Sequence, residues 1–128
     1  MKPKIYIAGK IKGDPDYKAK FEAAAEAYRK KGYTVLNPAW MPEGMSPADY
    51  MRICFAMIDT ADVVAFLPGY RLSAGAGLEL QYCFYIDKYV KLPDDENDGT
   101  VTPAGFFRSK SNASGLRTSA AEGVCAKE

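Results

Sequence analysis

Ser73-Ala-Gly-Ala-Gly-Leu-Glu79 places two glycines and other small residues ahead of a single carboxylate. It follows Val63-Val64-Ala65-Phe66-Leu67-Pro68-Gly69, which reads as a buried strand ending in a turn. Small residues opening a helix offer bare backbone N–H groups to an anion, and Glu79 one turn inside is a potential nucleophile or base beside them. The chain contains no histidine. That excludes a Ser-His-Asp triad, a Cys-His pair and any His-ligated metal, leaving acid–base work to carboxylates, Tyr, Lys or Cys. Spacing alone leaves a solvated helix glutamate as an equal reading. The neighbours Leu78, Leu80, Tyr82, Cys83 and Phe84 weaken it, because a helix apolar nearly all round does not leave its carboxylate freely solvated.

Several residues can serve the same site. Ser73, Gly75 and Gly77 form either an anion cradle or a helix start shaped for close packing. Lys10 and Lys12, on the loop Gly9-Lys-Ile-Lys-Gly13, can neutralise the anion or lie on the surface. Tyr6, inside the first strand, is a core aromatic by default, but its hydroxyl needs a partner that Glu79 can supply. Asp59 faces either the cleft or solvent, and Asp62 reads as a strand-edge cap. Trp40 either stacks on a flat ligand or plugs the sheet end. Cys54, Cys83 and Cys125 are an odd, widely spaced set, which suggests neither a disulfide framework nor a zinc cluster. No metal and no cofactor are expected.

The elements that must position these residues alternate. Lys4–Ala8 is a first strand. Asp16–Lys31 is a helix with Phe21, Ala24, Ala25 and Tyr28 on one side, stopped by Gly32. Tyr33–Leu36 is a second strand, ended by Asn37-Pro38. Ser46-Pro47-Ala48-Asp49 opens a second helix with a cap, a first-turn proline and a capping-box-like spacing. That helix runs to about Ala61, with Tyr50, Ile53, Met57 and Cys54 inward. Asp62–Leu67 is a third strand, Ala74–Ile86 a third helix and Tyr89–Leu92 a fourth strand. The pattern predicts an α/β fold: a three-layer, doubly wound parallel sheet of four to five strands in flavodoxin- or Rossmann-like order. Such sheets bind ligands beyond the carboxyl ends of their strands. The Gly9–Gly13, Asn37 and Pro68–Ala74 loops all gather there. After Leu92 the periodicity fails, so residues 93–128 read as an irregular tail, disordered or docked through Phe106-Phe107 on this subunit or a neighbour.

Composition bounds the rest. A chain of 128 residues holds one domain. Its formal charge of +1 argues against a platform for polymeric nucleic acid. No apolar run reaches membrane-span length and Ile5–Ala8 is too short for a secretory core, so the expected compartment is cytoplasmic.

From Lys4 to Val90 the chain resembles the nucleoside 2-deoxyribosyltransferase-like superfamily, which includes the 2′-deoxynucleoside 5′-monophosphate N-hydrolases. The resemblance rests on Ile5-Tyr6-Ile7-Ala8-Gly9, on Lys10-Ile11-Lys12-Gly13, on Asp62–Leu67, and on Ser73-x-Gly-x-Gly-x-Glu79. Leu67-Pro68-Gly69 before the last motif looks like a less characterised phage and bacterial branch. The resemblance makes residues 1–92 the superfamily domain and implies that Glu79 attacks the anomeric carbon, with Tyr6 positioning it. It further implies that Gly9, Lys10, Ile11, Lys12 and Gly13 contact the sugar phosphate. Serine at position 73 is the N-hydrolase residue, where transferases acting on free nucleosides tend to carry an acid. One position departs: where the superfamily commonly has an aspartate on the second helix, this chain has Cys54. The superfamily also completes its site from a second subunit, so a homodimer or higher homo-oligomer is implied.

The expected function is cleavage or exchange of the N-glycosidic bond of a (deoxy)nucleotide or nucleoside. The residues are Glu79, Tyr6 and Asp59 for catalysis, and Gly9–Gly13, Asn37, Trp40, Ser73, Gly75 and Gly77 for the ligand. The alternative is a nucleotide-binding sensor or sequestering protein without turnover. A purely structural subunit is a third, weaker reading.

Overall fold

The structure, a computed structural model, describes residues 1–93 and the backbone of 101–103. Strand β1 (Lys4–Ala8) sends alternate side chains to opposite faces, as a strand must. Ile5 and Ile7 pack towards helix α1 (Tyr17–Lys30), which buries Phe21 and Ala25, while Tyr6 and Ala8 join the core on the other face. Strand β2 (Thr34–Leu36) runs parallel to β1 and leads into a single 3-10 turn, Pro38–Trp40. Helix α2 (Pro47–Thr60) starts as its sequence dictates, with Ser46 Oγ accepting the Asp49 N–H at 3.1 Å and proline in the first turn.

Strand β3 (Val63–Phe66) is buried at all four positions, the continuous apolar run of a strand covered on both sides. Helix α3 (Ala74–Ile86) and the parallel strand β4 (Tyr89–Lys91) follow. The order is β2-β1-β3-β4-β5. Helix α1 covers the face of Ile5, Ile7, Val63 and Ala65; α2 and α3 cover the face of Tyr6, Ala8, Val64 and Phe66. This is the expected three-layer doubly wound α/β arrangement. The chain leaves β1 for one face and β3 for the other, which opens a crevice at their carboxyl ends.

Two expectations are corrected. On α2, Ile53 is 40% exposed, and the inward stripe is Cys54 and Ile58 at helical spacing. Within the segment read as an irregular tail, Val101–Pro103 forms strand β5, paired antiparallel to β4. Three residues are too few to display a period, so nothing in the sequence marked them. Phe106, Phe107 and Cys125 lie outside the described residues. Among the described residues, no helix is long and apolar enough to cross a membrane.

Candidate active site

At the carboxyl ends of β1, β2 and β3 lies a cleft of about 470 Å³, a volume suited to a small organic ligand. Its floor is built by two elements. Tyr6 sits on β1, pinned between neighbours in register with Leu36 and Val64. Glu79 lies one turn into α3 and is only 4% exposed. The Tyr6 hydroxyl donates to Glu79 Oε2 at 2.6 Å, the short distance of a charge-assisted bond.

Burial governs the electrostatics. Loss of water raises the Glu79 carboxyl to about 7, although hydrogen bonds from Tyr6 and the Cys54 thiol pull it the other way. The same dehydration, reinforced by the Glu79 charge, pushes the Tyr6 phenol well above its ordinary value of 10.0. Cys54 is raised to about 12, also chiefly by burial. Glu79 is therefore the group of the floor brought closest to exchanging a proton near neutral pH, while burial favours the protonated forms of the phenol and the thiol beside it.

Beside the floor, α3 presents its N-terminus. Ser73 Oγ accepts the Ala76 N–H at 3.1 Å, which leaves the hydroxyl proton free for a ligand. Among the described residues, the N–H groups of Ala74 and Gly75 have no protein acceptor. Gly75 lies at the cleft wall, where a side chain would crowd the Met51 methyl at 3.3 Å. From the β1 end, Gly9, Ile11 and Lys12 line the same cleft, whose lining thus includes a cation, an N-terminal helix end and a hydroxyl. Gly9 packs so tightly that an added Cβ would stand 3.2 Å from both Leu67 and Phe21.

Thus the structure gathers Tyr6, Gly9, Ile11, Lys12, Ser73, Gly75 and Glu79 around one cleft. The other expected residues lie elsewhere. Asp59 is exposed and accepts the Tyr82 hydroxyl at 2.7 Å, because its helical position turns it away from Cys54. Trp40 is 70% exposed, so it neither plugs the sheet nor lines the cleft; its 3-10 turn buries Pro38 and Ala39 instead. Asn37 turns inward as a cap, its Oδ1 accepting the Ala39 N–H at 3.0 Å. Lys10 folds over its own loop towards Gly13, which is in the left-handed region at φ 83°. Gly77 has nothing within 4 Å of an added Cβ and does not border the cleft.

Sequence reasoning missed a further part of the lining. It comes from the loop between β2 and α2 and from the first turns of α2, with Met41, Glu43, Met45, Tyr50 and Met51. Tyr50 holds that loop in place: its hydroxyl donates to the Pro42 carbonyl at 2.6 Å and accepts the Met45 N–H at 3.3 Å. The available signal was two methionines in a loop that must end at the strand edge, since apolar residues there need something to cover. Among the described residues, no cluster of three or more His, Cys, Asp or Glu side chains could hold a metal ion.

No curated protein matches the chain. A family model described as a domain of unknown function, DUF4406, matches residues 3–92, which contain every residue of the cleft, and the chain belongs to that family.

Proposed function

We propose that this protein cleaves or exchanges the N-glycosidic bond of a nucleotide by attack of Glu79 on the anomeric carbon. The observation that carries the reading is a buried carboxylate on the floor of an organic-ligand cleft, held by Tyr6 at 2.6 Å and poised at about 7. A dehydrated carboxylate is a better nucleophile than a solvated one, and Tyr6 fixes which oxygen faces away from the phenol. The Ala74 and Gly75 N–H groups, the Ser73 hydroxyl and Lys12 supply a phosphate contact one helical turn from Glu79. That separation, about 6 Å along the axis, is comparable to the reach from an anomeric carbon to a 5′-phosphate. The apolar wall of Met41, Met45 and Met51 suits the flat face of a base. The resemblance to the deoxyribosyltransferase-like superfamily supports the same roles for Tyr6, Ser73 and Glu79.

In the forward step a Glu79 oxygen bonds to C1′ while the C1′–N bond breaks and its electron pair leaves with the base. Water then frees the sugar phosphate, giving hydrolysis, or a second base takes it, giving transfer. Incubation with the four deoxynucleoside monophosphates tests this. Release of free base by the wild type and its loss in Glu79→Ala are expected. No release from any of them, with Glu79→Ala indistinguishable from wild type, overturns it.

One observation favours a second reading, nucleotide binding without turnover: a neutral thiol, Cys54, packs against the Tyr6–Glu79 pair. That reading predicts ligand-dependent thermal stabilisation that survives Glu79→Ala, with no base released.

A further inference from the structure

The cleft contains a second carboxylate, and its loop is built to hold it there. Glu43 stands on the loop between β2 and α2 and borders the same cleft as Glu79. The backbone on either side of it is tied to one atom, the Tyr50 hydroxyl, through Pro42 at 2.6 Å and Met45 at 3.3 Å. Gly44, the next residue, adopts φ 95°, so the chain turns sharply just after Glu43. Lys18 of α1 approaches the Glu43 carboxylate at 3.6 Å, which ties the loop to that helix. The two carboxylates occupy unlike surroundings: Glu79 is buried on the floor, whereas the Glu43 side chain is 77% exposed at the mouth.

Resting on the N-glycosidic reading above, we propose that Glu43 is the acid–base residue of the site, serving the leaving base and then the incoming water. Cleaving an N-glycoside asks for a proton on the departing nitrogen as well as a nucleophile on carbon. Glu79 is committed to carbon. The other groups facing the cleft do not fit the remaining role. Tyr6 and Cys54 hold their protons too tightly, and the Tyr50 hydroxyl is spent on Pro42. Tyr17 is a phenol, a far weaker acid than a carboxyl, and Lys12 is the cation on the phosphate side. In the first half-reaction the Glu43 carboxyl gives its proton to the base nitrogen that receives the C1′–N electron pair, and Glu79 becomes a glycosyl ester. In the second, the Glu43 carboxylate takes a proton from water as its oxygen bonds to C1′, and Glu79 leaves as carboxylate. Each turnover returns both groups to their starting state. Methionines at 41 and 45, flanking Glu43, line the cleft with it and offer an apolar surface for a base beside that carboxylate.

The test compares a leaving group that needs a proton with one that does not. The four deoxynucleoside monophosphates and 4-nitrophenyl 2-deoxyribofuranoside 5-phosphate are assayed with wild type, Glu43→Gln and Glu79→Gln. Glu43→Gln is expected to slow base release by roughly 10²-fold or more while slowing nitrophenolate release less than about tenfold. Glu79→Gln is expected to slow both equally. Base release by Glu43→Gln within threefold of wild type overturns the assignment alone, and so does equal slowing of the two substrates, which marks a merely structural loop residue. A wild type inert on every substrate overturns the N-glycosidic reading and this assignment with it.

Discussion

Two helices begin at the rim of the cleft, both on a serine, and they are finished differently. At α2, Ser46 caps Asp49, Pro47 has no N–H to satisfy, and Asp49 places a carboxylate in the first turn, paired with Arg52 at 2.6 Å. The positive end of that helix dipole is answered within the protein. At α3, Ser73 caps Ala76, but the first turn contains no acid, and the Ala74 and Gly75 N–H groups have no protein acceptor among the described residues. One helix end carries its own anion; the other carries none. Under the proposed function, the same capping residue serves stability in one place and a ligand in the other. The carboxylate that follows the open end, Glu79, is the one the fold dehydrates.

That contrast can be broken at several points. The largest effect is expected at Glu79: Glu79→Ala should lower the rate of base release by on the order of 10⁴-fold or more, read by chromatography of the freed base. No change on the α2 end, such as Asp49→Asn, should approach it.

Glu79 also sets a pH signature. Its folded value of about 7 lies above the ordinary 4.5, so the folded state holds the proton more tightly than the unfolded chain. The associated stability is fully present below about 4.5 and is lost as pH rises through about 7. Glu79→Gln should therefore match the wild type in denaturant unfolding at pH 4 and exceed it at pH 8, by at most roughly 3 kcal/mol. Activity should follow a different course. Glu79 must be ionised while the acid serving the leaving base is protonated, so kcat/KM should trace a bell, with the Glu79 ionisation at about 7 setting one limb.

Exchanging the two caps separates their duties. Ser73→Asp keeps a capping oxygen but sets a negative charge at the open end, so KM for a nucleoside monophosphate should rise about 10–100-fold. Ser46→Asp should leave KM unchanged. In thermal melts both variants should stay near wild type. A KM that responds equally to the two, or to neither, would erase the distinction between the helix ends.

The smallest effects belong to the glycines. Gly77→Ala meets no neighbour within 4 Å and should stabilise the protein by about 0.5–1 kcal/mol with unchanged ligand affinity. Gly75→Ala presses on the flexible Met51 methyl at 3.3 Å and stands at the cleft wall. It should lose part of that gain and weaken binding a few-fold, measured by calorimetry.

The sequence displayed the fold because each long element advertised itself: Ser46-Pro47 starts α2, the apolar run of β3 declares a covered strand, and Gly32 follows α1. The floor of the site was legible for a related reason. Tyr6 and Glu79 are polar groups inside apolar elements, and burial forces such groups to find each other. The lining from the loop between β2 and α2 was hidden because loops have no period; Pro42, Met45 and Tyr50 meet through a hydroxyl bridge that spacing does not reveal. Trp40 drew attention by type, yet its position in a 3-10 turn with Pro38 and Ala39 inward turned it to solvent. Asp59 failed likewise: a helix face, not residue chemistry, decided that it pairs with Tyr82.

The central claim is that Glu79 bonds to the sugar. Rapid acid quench of the protein turning over a deoxynucleoside monophosphate, followed by peptide mass analysis, measures it directly. The account predicts a peptide containing Glu79 heavier by one deoxyribose 5-phosphate less water, absent in Glu79→Gln. Steady release of base with that peptide never modified, and with the adduct absent even when Glu43→Gln turns over the nitrophenyl donor, would contradict it.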